Sequence, residues 1–385
     1  MTQAPIAPAR RIGAIDALRG LALFGVLAIN LESEFRVSIF RQFQTVTPDA
    51  GCNGVVNTAL MLFVEMKAFA LFSFLFGVGL AIQFDRLATS PRRTILLVRR
   101  LLVLLLFGLI HLVLIWNGDI LTEYALAGFV ALPFLFAPGW IVAVAAMIAL
   151  AFYVLQPWLP SAISFPSDYA IYTLVQTANQ IYPTGSFLDV LRHRVQELPA
   201  MLTLHYFVFS RTIGLFLVGI LCWRADLFGA TAQRHRTLIL IVGVAAIAFG
   251  LALAPRPHDD PGLGSPIVLA AGYAALVIAA EQTSIGVRWL RWAEPVGRMA
   301  FTNYITQSVV LGFIFYGYGL GLFGKLGSVT GLYLVLVIYV AQSAISRMWL
   351  ARFAYGPIEW LWRALMYGRA PAFRKAGSAP VIVRP

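Results

Sequence analysis

Ten stretches of apolar residues, each about as long as a helix that crosses a bilayer, constrain this chain more than any other feature. A spanning helix takes roughly 17–25 apolar residues. Such stretches fall at 15–32, 57–84, 95–117, 119–137, 139–156, 200–223, 237–254, 264–281, 298–317 and 329–351. In hydrocarbon every backbone N–H and C=O must be satisfied within the protein, which leaves helices or a closed barrel. A barrel strand alternates over about 10 residues, and these runs do not alternate. The expectation is an all-α polytopic membrane protein of about ten transmembrane helices. Its 12% charged residues, against 60% hydrophobic, are far below the roughly 25% of a soluble domain.

The net charge of +12 does not point to nucleic acid, because the positive residues sit in short loops between apolar runs. That distribution is an orientation signal. With both termini placed in the cytoplasm, twenty-one Lys and Arg fall on the inner side and six on the outer. The inner set includes Arg10, Arg11, Arg92, Arg93, Arg99 and Arg100, and the outer set is Arg36, Arg41, Arg192, Arg194, Arg256 and Lys325. Lys67 and Arg211 fall within spans. The N-terminus shows no cleavage site before a soluble domain, so the first span reads as a retained helix. Cys52 and Cys222 fall on opposite sides in this topology and are not expected to pair.

Residues 1–368 read as one transmembrane domain. The outer loop 157–199 is too long for an idle connection, and Phe187–Val195 has the apolar spacing of an amphipathic helix lying over the outer face. Gly356–Arg363 mixes tryptophan with charge, as an inner interfacial helix does. The segment 369–385 is rich in Pro, Ala and Arg and reads as a disordered cytoplasmic tail. Ser73–Gly79 and Gly214–Gly219 echo one another weakly, which fits small-residue packing between helices better than a repeat.

An ionisable side chain deep in hydrocarbon costs about 2.5–3.5 kcal/mol even on forgiving insertion scales. Such residues are kept where they face a partner, a cavity or a substrate. His111 lies about 9 Å below the outer end of its span, Glu65 and Lys67 about 12–15 Å below theirs, His205 about 8 Å and Arg211 about 17 Å. Asp119, Glu123 and Tyr124 open the next span, and Asn30 closes the first. Asn303 and Gln307 share a helix face. His111 is suited to general-base work near neutral pH, with Asp119 or Glu65 to orient it. Asn30, Lys67, Tyr124, His205, Arg211, Asn303 and Gln307 are the candidates to bind substrate. Each has a plainer reading: amides as glue between helices, Glu65 and Lys67 as a neutralising pair, and Asp119 as a helix cap. No spacing suggests a metal site, and no Walker loop, dinucleotide fingerprint, HExxH or GxSxG is present.

Several blocks resemble the YeiB family of bacterial inner-membrane proteins. They are Ile15-Asp16-Ala17-Leu18-Arg19-Gly20 with Gly25–Asn30, Phe69–Gly77, and His111 with Trp116–Leu121 and Tyr124-Ala125. Gly297–Tyr304 with Gln307-Ser308, and Gly356–Arg363, complete the set. The opening also resembles the heparan-α-glucosaminide N-acetyltransferase group of transmembrane acyltransferases, through D-x-x-R-G followed by a buried Asn. Those enzymes carry a histidine after the first span, and residues 31–66 here contain none.

The resemblance implies a multi-pass inner-membrane protein that moves an acyl group from a cytosolic acyl-CoA-type donor to an acceptor at or across the membrane. The acceptor class is open among small molecules, lipid-linked groups and saccharides. His111 takes the place of the absent histidine as base, and Arg19 and Arg298 are the candidates for the donor's phosphates. The rival is a transporter for a small polar or anionic solute using the same buried cluster. A third reading is an assembly protein whose polar groups only lock helices. Membrane lipids are expected partners, self-association is compatible with the sequence, and nucleic acid is not expected.

Overall fold

The computed structural model describes residues 12–44, 50–161, 163–254 and 263–375. Among them the chain is mainly helical, and its one β-bridge joins Phe353 to Arg374. Seven helical segments are long and apolar enough to cross a membrane, and three shorter apolar helices accompany them. The protein is thus a multi-pass membrane protein.

The helices are α1 (Gly13–Asn30), α2 (Gly51–Phe63), α3 (Lys67–Arg86), α4 (Arg93–Ile110), α5 (Leu121–Ala131), α6 (Gly139–Leu155), α7 (Asp168–Ile181) and α8 (Phe187–Arg224). They continue as α9 (Ala230–Arg234), α10 (Arg236–Ala252), α11 (Gly264–Glu281), α12 (Ser284–Leu290), α13 (Glu294–Arg298), α14 (Ala300–Phe315), α15 (Ser328–Arg352) and α16 (Pro357–Tyr367). α1 is the central post: thirteen of its eighteen residues are buried. Around it stand α3, α11, α13, α14 and α15, while α8 packs on α3, α5 and α6.

Glycines set the closest approaches. A Cβ on Gly77 would overlap the carbonyl of Phe216, and one on Gly219 would overlap that of Phe74. α3 and α8 therefore meet backbone to backbone along the two echoing stretches, as small-residue packing requires.

Four features differ from the sequence reading. The expected span 57–84 is two helices, broken at residues 64–66, where Met66 adopts a left-handed φ of 59°. Lys67 Nζ donates to Met61 O at 2.6 Å and so caps one of the carbonyls that the break frees on α2. The stretch 187–195 is not a separate surface helix. It is the first part of the 38-residue α8, which starts with a capping box from Ser186 and Asp189 and runs through Pro199. The amphipathic helix of that loop is α7, which buries Ile171, Val175 and Ala178 and exposes Tyr169 and Tyr172. The expected tail begins later, because Phe373 packs on Trp349, Phe353 and Trp360, and Lys375 donates to Leu350 O. Residues 376–385 of that tail lie outside the described residues. The interfacial helix expected at 356–363 is α16, which buries Met366 and lays Trp362 against Phe301.

Candidate functional site

Two turns wider than an α-helix shape the centre. Trp116 N bonds His111 O at 2.7 Å, and Arg36 N bonds Leu31 O at 2.8 Å, each reaching back five residues. Such bulges are common at functional sites. The first ends α4 at His111 and lets Trp116–Ile120 cross over the imidazole before α5 begins.

Asp119 serves two elements. Its carboxylate accepts from Leu121 N at 3.1 Å and Thr122 N at 2.7 Å, capping α5. Its Oδ1 also lies 2.9 Å from His111 Nδ1, and neither side chain is exposed. The imidazole packs on Tyr304, with ring centroids 5.1 Å apart, and edge-on to Trp116. Its Nε2 is buried without a hydrogen-bond partner. Nδ1 faces the carboxylate at charge-pair distance without meeting hydrogen-bond geometry, so both ring nitrogens are buried without a hydrogen bond, and Nε2 is the one open to take a proton.

One helical turn along α5, Glu123 makes a second pair. Its Oε2 lies 2.8 Å from His205 Nδ1, and its Oε1 accepts from the Thr212 hydroxyl. Asp119 lies just before α5, and Glu123, four residues on, is in its first turn. Tyr124, on the next face, places its hydroxyl 2.8 Å from Ser73 Oγ and donates to Phe69 O. Arg211 is buried beside the α2–α3 break, with Nη1 3.8 Å from Met66 Sδ and its guanidinium 5.5 Å from the Tyr153 ring. Among the described residues it has no carboxylate partner. Glu65 sits in the break, with Lys67 and Glu34 as its charged neighbours. Asn30 is buried with Oδ1 unpartnered.

Asn303 and Gln307 belong to a different contact. Asn303 Nδ2 donates to Ser346 Oγ at 3.0 Å and Gln307 Nε2 to Gln342 Oε1 at 2.8 Å, which ties α14 to α15. Lys67 lines a small cavity apart from the His111 pair. The sequence-derived candidates are thus distributed over neighbouring contacts rather than gathered in one.

Beneath the His111–Asp119 pair opens a cavity of about 540 Å³. Its floor is Ile120, Leu121, Tyr124 and Tyr304, its walls include Phe72, Phe76, Leu104 and Phe301, and five arginines surround its other end: Arg19, Arg86, Arg100, Arg298 and Arg363. Arg19 and Arg298, expected to receive phosphates, both line it. Arg100 lies over the Trp362 ring at 4.1 Å and has a buried Nε without a partner. Asp16, Asp85 and Glu359 share the arginine end. Glu359 accepts from Phe301 N, Thr302 N and Thr302 Oγ1, and burial raises its carboxyl above the usual range against those hydrogen bonds. His111 does not line the cavity. Tyr304 stands between, and its oxygen accepts from Ile120 N at 3.4 Å.

Sequence reasoning missed Tyr304, Glu34, Arg100 and the Glu123–His205 pairing as site features. His193 falls within the stretch 157–199 that the sequence places in an outer loop. His193 is buried on α8, 3.2 Å from Glu197, which accepts from Asn117 Nδ2 at 2.8 Å and Tyr182 OH at 2.5 Å. Tyr182 lies between α7 and α8, and burial, then the Glu197 charge, push its phenol well above the usual value.

A family described as "Protein of unknown function (DUF418)" matches residues 262–369. The chain is 32% identical to the uncharacterized protein YxaH of Bacillus subtilis, over 93% of this chain and 94% of that one. It is 30% identical to an uncharacterized 39.9 kDa protein in the amylase 3′ region of Bacillus acidopullulyticus, over 95% and 96% respectively. To the uncharacterized protein YeiB of Escherichia coli it is 27% identical, over 94% and 98%. No solved structure matches. With full-length similarity to these proteins, and with the matching C-terminal segment containing α14, α15 and α16, the chain belongs to the YeiB-like family.

Proposed function

We propose that the protein is a transmembrane acyltransferase that takes an acyl-CoA-type donor from the cytosol. The observation that carries this reading is the cavity itself: arginines at one end, apolar walls, and a floor one residue away from the His111–Asp119 pair. Arg100 and His111 are eleven residues apart on one helical run, about 16 Å. A phosphate-bearing head at the arginines would therefore place the far end of an extended arm near Tyr304. The arginine end as the cytoplasmic side, both termini inside, ten crossings and residence in the bacterial inner membrane are part of the same proposal. The bias of positive residues supports them, as do three apolar helices beyond the seven longest.

In the reaction, an acceptor hydroxyl or amine attacks the thioester carbonyl. Its proton passes to His111 Nε2, the C–S bond breaks, and the proton returns to the leaving thiolate. Asp119 holds the ring and balances the imidazolium. Tyr304 covers the base and must turn aside, or stay and donate to the carbonyl oxygen.

The test is thiol release from acyl-CoA by the full chain in nanodiscs. Wild type releases thiol, and His111→Gln, which keeps hydrogen-bonding capacity but takes no proton at neutral pH, falls by about 10²–10⁴-fold while folding normally. Equal release by both refutes His111 as base. The α2–α3 break favours a second reading, transport of a small anion, because transporters build sites from broken helices. Uptake into vesicles that survives His111→Gln, with no thiol release by wild type, selects that reading. Orientation is checked separately: an impermeant thiol reagent outside intact cells labels the exposed Cys52 and not Cys222.

A further inference from the structure

The short helix α12 leaves one face uncovered. Ile285 is 70% exposed and Trp289 73%, and a spacing of four puts them on the same side of the helix. Arg288, three residues after Ile285, edges that side, and Arg291 and Trp292 follow; all three are exposed. Val287 and Leu290 are partly buried. Thr283 caps the helix by accepting from Gly286 N at 2.9 Å. Gly286 lies so close to the Ala280 carbonyl that a Cβ there would overlap it, which holds α12 against the last turn of α11.

Neighbours at both ends fix where α12 stands along the bundle. α11 has eighteen residues, which rise about 27 Å, close to a hydrocarbon thickness. Its last residue, Glu281, lies against Gly13, the first residue of α1. α1 begins at the arginine end, where Ile15 and Arg19 line the larger cavity. α12 therefore lies where a spanning helix leaves the hydrocarbon. Its exit is pinned as well, because the Ala293 carbonyl meets Gly20 of α1. The acids packed nearby are Glu281 and Glu294, and Glu294 has Asp16, Arg291 and Arg298 as charged neighbours. Arg288 has no hydrogen bond or ion pair among the described residues. Hydrocarbon does not suit exposed arginine, and water does not suit exposed isoleucine and tryptophan side by side. The headgroup layer suits both, and the charge selects anionic headgroups.

We infer that α12 is an interfacial anchor, which dips Ile285 and Trp289 into the leaflet at the arginine end and holds anionic phospholipid headgroups with Arg288 and Arg291. The inference does not depend on the acyltransferase reading. The experiment uses the full chain in phosphatidylcholine nanodiscs, with Cys52→Ser and Cys222→Ser to clear native thiols. A nitroxide is attached through Ile285→Cys or Trp289→Cys, and through Thr89→Cys, an exposed site in the α3–α4 loop at the same end. Electron paramagnetic resonance then compares collisions with oxygen, which enters lipid, and with a neutral nickel chelate, which stays in water. Positions 285 and 289 are expected to favour oxygen several-fold more than position 89. Replacing part of the phosphatidylcholine by phosphatidylglycerol is expected to lower nickel collisions at 289 further, and Arg288→Gln with Arg291→Gln to remove that response. Positions 285 and 289 as open to nickel as position 89 overturn the anchor. No response to phosphatidylglycerol with both arginines present overturns the anionic headgroups. If a labelled chain does not fold, hydrogen exchange of 284–292 in the wild type decides: slower exchange with phosphatidylglycerol supports the anchor, and unchanged exchange overturns it.

Discussion

Asp119 Oδ1 lies 2.9 Å from His111 Nδ1 while the same carboxylate caps α5 through Leu121 N and Thr122 N. One side chain thus fixes both where α5 begins and how the imidazole at the end of α4 is turned. The cap reading and the catalytic reading of Asp119 are not rivals, because the first supplies the rigidity that the second needs.

The two roles separate by substitution. Asp119→Asn keeps an oxygen for the cap but loses the charge that balances an imidazolium. It is expected to melt close to wild type and to lose most thiol release. Asp119→Ala loses the cap as well and is expected to cost a further ~1 kcal/mol of stability. Calorimetry and thiol release on the same preparations check both. If Asn and Ala lower stability equally and leave activity intact, Asp119 is a cap alone.

The meeting of α3 and α8 rests on Gly77. Gly77→Ala drives a methyl into the Phe216 carbonyl, backbone that cannot step aside as a flexible side chain can. A loss of about 1–3 kcal/mol is expected, read as a lowered melting temperature in detergent. Gly139→Ala, with open space around it, is the control and should melt like wild type.

The spans were legible because hydropathy over twenty residues depends little on tertiary context; 264–281 matches α11 end to end. The break at 64–66 was not, since Val64-Glu65-Met66 contains neither Gly nor Pro and the left-handed residue is a methionine. The continuity of α8 was hidden by Pro199, which usually marks an end but is tolerated inside this helix. The pairing of His111 with Asp119 was legible, being close in the chain. The arginine cavity was not, because Arg19, Arg100 and Arg298 each read singly as an orientation signal and converge only in the fold. Tyr304 escaped for a similar reason: its neighbour Asn303 drew attention and faces α15 instead.

Glu359 gives a pH signature. Burial holds its carboxyl above the usual carboxylate range in the folded protein. Between the usual and the folded value the unfolded chain ionises while the native one keeps its proton, so the native state binds more protons there. Stability from this group is therefore full below the unfolded value and is lost as pH rises through the folded one. Wild type should lose stability relative to Glu359→Gln on going from pH 4 to neutral. A constant difference between the two across that range would show that the group is not shifted.

We propose that the arginine-lined cavity receives an acyl-CoA-type donor. This is tested most directly by the unfolding temperature of the full chain in nanodiscs, titrated with a non-hydrolysable acyl-CoA thioether. Wild type is expected to rise with ligand, by the equivalent of about 2.7 kcal/mol at a hundredfold excess over the dissociation constant. In Arg100→Gln the titration should move to at least tenfold higher ligand. No rise in wild type at concentrations well above micromolar, or a rise unchanged by Arg100→Gln and by Arg19→Gln alike, would contradict the account.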